Sequence, residues 1–251
     1  MKNIIALTIC FSLTTLSVGQ TAENSPAKAD EVMAIMFEQD AKRAALNQGY
    51  TGSRRYIFDN GRLHKHAELL VSVRCESDGT KHFDVVSEDG WKTANHKILW
   101  KMLESEAETS QPLIRPKTRL TPDNYSFAIV SKDSLDGRPT YVIDVTPKRE
   151  DKYLFEGRIW VDAIDFALVR VEGSPAKNPS FWTRSIHFVH QYQKSGDFWF
   201  PTTTESITQA RVVGKTDVTI QYFNYTPNTA SGGGCSKPDA ASVKEVNYAQ
   251  Q

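Results

Sequence analysis

The chain has 251 residues, with 30 Lys+Arg against 30 Asp+Glu, and is 39% hydrophobic and 10% aromatic. This balance argues against a nucleic-acid binder working through bulk positive charge, and gives no support to a polybasic membrane-surface protein. The apolar content excludes wholesale disorder, and a chain of this size buries roughly 70–75% of its unfolded surface, so it needs no metal or disulfide staples.

Met1-Lys2-Asn3 is a short basic start, and residues 4–18 are apolar or small. Ser17 and Gly19 fit a signal-peptidase site, so residues 1–19 read as a secretion signal cut after Gly19. The run is shorter than the about 20 apolar residues of a membrane span. Ile9 precedes Cys10, where lipidation wants a small residue. The mature protein is therefore expected in the periplasm. Residues 20–29 read as a leader, 30–226 as one domain and 227–251 as a flexible Gly/Ser-rich tail. Export permits a disulfide between Cys75 and Cys235. A buried thiol and a tail thiol are the preferred reading, and no CxxC or His/Cys cluster suggests redox or zinc chemistry.

Residues 30–46 have helical periodicity, with Asp30 as cap and Gly49 as terminator. Val32, Ile35 and Met36 mark its apolar stripe. Strands follow. Arg54 to Phe58 runs into the hairpin signal Asp59-Asn60-Gly61. Ala67, Leu69, Val71, Val73 and Cys75 then alternate with polar neighbours. A second helix spans about 94–106, with Ile98, Leu99, Met102 and Leu103 as its stripe. Glu104, Glu106 and Glu108 crowd its C-terminal end, where the helix dipole disfavours anions.

From Tyr125 onward the pattern is nearly all strand, with turns at Asp136-Gly137, Asp162–Asp165, Ser195–Asp197 and Val213–Lys215. Successive hairpins imply an antiparallel meander of roughly ten strands. Two helices over so large a sheet make an apolar cavity. The fold class is therefore α+β, mostly β: a curved antiparallel half-barrel with helices on its concave face.

Catalytic signals are weak. His64, His66 and Glu68 share one strand face at metal-binding spacing, but that face is mixed and solvated, and a surface pair without metal is the simpler reading. His187 and His190 point to opposite faces. Asp162 and Asp165 bracket a turn, where carboxylates cap backbone amides. There is no GxSxG elbow, HExxH, P-loop or GxGxxG. Aromatic residues concentrate late, at Phe181-Trp182, Phe198-Trp199-Phe200 and Tyr222–Tyr225. Three consecutive rings at 198–200 must serve both strand faces, so large rings extend beyond an ordinary core.

Residues 137–148 (GRPTYVIDVTPK), 155–162 (FEGRIWVD), 166–173 (FALVRVEG) and Gly196–Pro201 carry a resemblance. They resemble the LolA-like superfamily of outer-membrane lipoprotein-sorting proteins, periplasmic lipoprotein carriers and related sigma-factor regulatory sensors. The specific part covers 137–201, and the helix-first order extends it loosely to 30–226. The insert at 173–181 and the Gly-rich Cys tail depart from the carriers. The resemblance implies a half-barrel that holds acyl chains of a lipid or lipoprotein, with no cofactor and no catalysis, and with a membrane-bound donor or acceptor protein as a possible partner. Alternatives are a periplasmic sensor that binds a partner protein, and an exported metal enzyme using His64 and His66. The cavity-lining candidates are Val32, Ile35, Met36, Leu69, Val71, Val73, Ile98, Leu99, Met102, Tyr141, Ile143 and Ile159.

Overall fold

A computed structural model describes residues 28–46 and 48–228. The signal sequence, most of the leader, Cys10, Cys235 and the tail beyond Asn228 lie outside the described residues.

The chain opens with helix α1 (Ala29–Leu46). Asp30 sits in its first turn beside Glu31 rather than at the cap, and both carboxylates suit the positive helix end. Three strands follow, β1 (Tyr50–Asn60), β2 (Lys65–Cys75) and β3 (Lys81–Gly90). The second helical segment is longer than its pattern indicates. Helix α2 (Lys92–Ala94) runs through a π-helical turn (Asn95–Leu99) into α3 (Trp100–Ser110). Seven more strands complete the fold: β4 (Tyr125–Leu135), β5 (Arg138–Pro147), β6 (Phe155–Asp162), β7 (Leu168–Pro175), β8 (Thr183–Ser195), β9 (Phe198–Ala210) and β10 (Gly214–Pro227).

All ten strands join one antiparallel sheet in the order β3-β2-β1-β10-β9-β8-β7-β6-β5-β4. The sheet is open, with β3 and β4 as its two edges, in a half-barrel arrangement that is mostly β. One closing pair, β1 with β10, joins the first hairpins to the long meander.

The pairing register places both helical units on one face. Residues directly opposite in an antiparallel pair share a face. Tyr56 pairs Ile220, Ile220 pairs Thr204, and Thr204 pairs His190. His190 pairs Val171, Val171 pairs Ile159, and Ile159 pairs Ile143. This single row crosses seven of the ten strands and defines the inner face of the sheet. At one end α1 buries Val32, Met33 and Met36 against Tyr125, Ile143, Val145, Ile159 and Val161. At the other, Ala94, Leu99 and Leu103 pack on Tyr56, Phe58, Leu69, Val71 and Val218. Ile35, expected in the α1 stripe, is 38% exposed. The buried face is Val32-Met33-Met36, one residue around the helix, because α1 lies over β4–β7.

Gly157 and Gly173 face each other across β6 and β7. A Cβ on Gly157 would stand 2.1 Å from the Glu172 carbonyl oxygen, and one on Gly173 would stand 2.4 Å from that of Glu156. The bare backbone leaves room for Phe155 and Phe188, whose rings meet edge-on at 5.8 Å. Gly157→Ala should cost about 1–3 kcal/mol by overpacking. Gly61→Ala, where a Cβ meets nothing within 4 Å, should be close to neutral. Urea denaturation of the two variants checks the contrast.

Candidate binding cleft

The middle of the inner face has no helix over it. Strand β9 contributes to neither buried cluster, and a cleft of about 460 Å³ opens there. Its walls come from Asp40, Arg43 and Ala44 on α1, from Glu106 on α3, and from the strands between.

Its charged end is built around Arg54. This residue occupies an inward position of β1, two before Tyr56, and is 1% exposed. A lone guanidinium there would be costly. Arg54 Nη1 donates to Glu106 Oε2 at 2.6 Å, and Nε donates to Tyr225 Oη at 2.9 Å. The guanidinium also lies 4.8 Å over the Tyr222 ring and 5.2 Å over that of Phe83. Lys81 Nζ reaches the other Glu106 oxygen at 2.6 Å. Burial alone would raise the Glu106 pKa, but Lys81 and Arg54 together hold it well below the usual carboxylate range. The acidic end of α3, unfavourable for an isolated helix, is thus explained by two cations from the sheet.

An aromatic wall completes the cleft. Phe198 and Phe200 lie 6.1 Å apart, Phe200 and Tyr225 5.4 Å, and Tyr222 and His190 5.7 Å. Trp199, Tyr50, Tyr192 and Pro201 line the same space. The three consecutive rings at 198–200 all reach it. Trp199 also borders a second cavity of about 580 Å³, where Arg138 lies 5.6 Å over its ring. In that region Asp162, 0% exposed, accepts from Arg138 and from the amides of Ile164 and Asp165, as a turn-capping carboxylate should.

His190 faces the cleft, with Nδ1 against Thr204 Oγ1. Thr204 in turn meets Tyr222 Oη at 3.0 Å. His187 lies on the outer face, 3.4 Å from Glu172. Burial pulls the His190 pKa down to about 4, with Glu106 opposing and Lys81 and Arg54 assisting. Burial pushes Tyr222 up to about 12, so its hydroxyl stays neutral.

The twelve cavity candidates fall elsewhere. None lines this cleft. Val32, Met36, Ile143 and Ile159 are buried beneath α1, with Tyr141 packed beside them. Leu69, Val71 and Leu99 are buried in the other cluster, with Ile98 and Met102 against it. Val73 is 2% exposed. Met102 borders a shallow cavity beside Glu106 and Tyr153. His64 stands outside the expected strand pair: it ends the β1–β2 turn with φ 51°, and β2 starts at Lys65. His66 is engaged by Asp59 at 2.8 Å and by Glu68 at 3.2 Å. Among the described residues no group of three or more His, Cys, Asp or Glu could hold a metal.

The depressed His190 pKa has a consequence for stability. The unfolded chain takes up a proton near pH 6.5, whereas the folded one resists until about pH 4. Stability is therefore full above pH 6.5 and falls as pH drops toward 4, by up to about 3 kcal/mol. Glu106 contributes loss only below its ordinary value of 4.5. Urea denaturation across pH 7 to 4.5 should show this loss in the wild type and much less of it in His190→Gln.

No curated protein matches the sequence. A DUF1329 family protein from Desulfovibrio piger is similar in structure at 13% identity and TM-score 0.44, covering 81% of this chain and 95% of its own. The LolA superfamily protein NE2245 from Nitrosomonas europaea is similar at 10% identity and TM-score 0.36, covering 82% and 96%. A MucA/MucB complex from Pseudomonas aeruginosa is similar at 9% identity and TM-score 0.26, covering 78% and 99%. The profile of a family of unknown function matches residues 92–229, more than half of the chain, and the chain belongs to that family, DUF5686.

Proposed function

We propose that the protein is an exported, non-catalytic carrier that holds an amphipathic molecule, a lipid or the acylated end of a lipoprotein, in the inner-face cleft. The observation that carries this reading is the uncovered middle of the inner face. It is a cleft with aromatic walls at one side and, at the other, an Arg54–Glu106–Lys81 group in which Arg54 is buried and the other two are partly exposed. An alkyl chain laid along Phe198, Phe200 and Pro201 gains about 0.8 kcal/mol per buried methylene. A polar head then meets Lys81 and the cleft tyrosines. The volume suits part of a chain and a head, within the usual range of small-molecule sites. Such a carrier works in the periplasm, in keeping with the signal-like N-terminus, and needs no cofactor. The buried candidates beneath the helices would enter only if a helix shifts and widens the cleft toward them.

A second reading, a sensor for a partner protein, is favoured by the cleft mouth. Asp40, Arg43 and the exposed Arg119 present both charge signs there, which suits a polar peptide.

Uptake of a fluorescent fatty-acid probe tests the first reading. The wild type should bind the probe, and Phe200→Asp should weaken it by about tenfold or more, the equivalent of one lost apolar contact. Ile35→Asp, on the exposed side of α1, should leave it unchanged. No uptake by the wild type moves the weight to the peptide reading.

A further inference from the structure

The chain is neutral overall, yet its charge is unevenly placed. Three connections lie at the same end of the sheet, after β1, β7 and β9, because these strands run in one direction and β1, β10, β9, β8 and β7 are neighbours. Residues 61–65 contribute Arg62 and Lys65, residues 176–184 contribute Lys177 and Arg184, and residues 211–215 contribute Arg211 and Lys215. No Asp or Glu occurs in these three segments. They also present apolar side chains to solvent: Phe181 at 74% exposed, Trp182 at 61%, Val212 at 63% and Leu63 at 37%.

Single exposed apolar residues are ordinary. Here they are grouped and held. The Arg211 amide donates to the Trp182 carbonyl at 2.8 Å, and its Nε donates to the Phe181 carbonyl at 2.8 Å. The Arg211 guanidinium lies 4.8 Å over the Phe181 ring. Arg62 Nη1 reaches the Val212 carbonyl at 3.2 Å, and buried Asn60 reaches that of Val213 at 3.1 Å. Rings fixed in this way, and rimmed by an excess of cations, mark an interaction surface.

We propose that this end of the sheet docks on an anionic membrane surface, with Phe181 and Trp182 entering the headgroup region and Arg62, Lys65, Lys177, Arg184 and Arg211 facing lipid phosphates. Trp and Phe suit that boundary because their rings are apolar and tolerate wet edges. Each Lys or Arg near an anionic bilayer strengthens binding by about fivefold. Lys215 is paired with Asp217 at 3.0 Å, and the other five cations leave the three loops with a positive excess that suits such a surface. The proposal does not rest on what the cleft holds, since none of these segments lines it.

Co-sedimentation of the mature protein with vesicles tests it. Binding to equal parts phosphatidylcholine and phosphatidylglycerol should exceed binding to phosphatidylcholine alone, and should weaken as salt is raised. The pair Phe181→Ser and Trp182→Ser should lower it by about tenfold or more. Lys177→Glu with Arg184→Glu should do at least as much. All four side chains are exposed, so these variants should keep their fold and their uptake of the fatty-acid probe. A wild type with no preference for the anionic vesicles, or variants that bind as the wild type does, would overturn the proposal.

Discussion

A guanidinium buried to 1% exposure on an apolar sheet face sets the terms for the rest of the molecule. Left alone, Arg54 would cost several kcal/mol, and breaking such a pair after folding costs about 3–5 kcal/mol. The fold answers with Glu106 from α3, with two tyrosine hydroxyls and with two ring faces. That answer fixes where the end of α3 must lie. Glu106 has to stand over β1 and β3 to meet both Arg54 and Lys81. The helix is thereby held to one side of the inner face, and the polar end of the cleft is built in the same step.

The second constraint is width. Ten strands about 4.8 Å apart span roughly 43 Å, while two helices about 10 Å across cover about half of that. The covering helices settle on the two most apolar regions, β4–β7 and β1–β2 with β10. What remains between them is the strip that neither helix claims. There the inner row reads Thr204 and His190, flanked by tyrosines, instead of Ile and Val. Arg43 keeps α1 from sliding into the gap, because it donates to the Asp165 and Phe166 carbonyls in the β6–β7 turn.

The same division explains how much could be read from residues. Period-two alternation located β2 and its buried side chains from Ala67 to Cys75, because one face is packed and the other solvated. Helical periodicity located α1 almost to the residue. The cleft was harder to see, since apolar periodicity selects residues that become covered. The twelve candidates follow that signal, and eight of them are buried at no more than 2% exposure. Two weaker signals did point to the cleft. One was the run Phe198-Trp199-Phe200, too many rings for one face. The other is Glu106, an acid at the wrong end of a helix; its partner Arg54, inward on β1, shows only in the structure. A charge that violates local preference needs a partner from elsewhere in the chain, and the sequence does not say which. The π-helical turn at Asn95–Leu99 had no signal in the composition of the helix.

The central claim is that the uncovered strip of the inner face is a ligand site. Native mass spectrometry of the protein isolated from its own cell envelope, with lipid extraction of the same sample, tests it most directly. The account predicts an added mass that dissociates as an acylated species. A bare polypeptide mass, with no lipid in the extract, would contradict it.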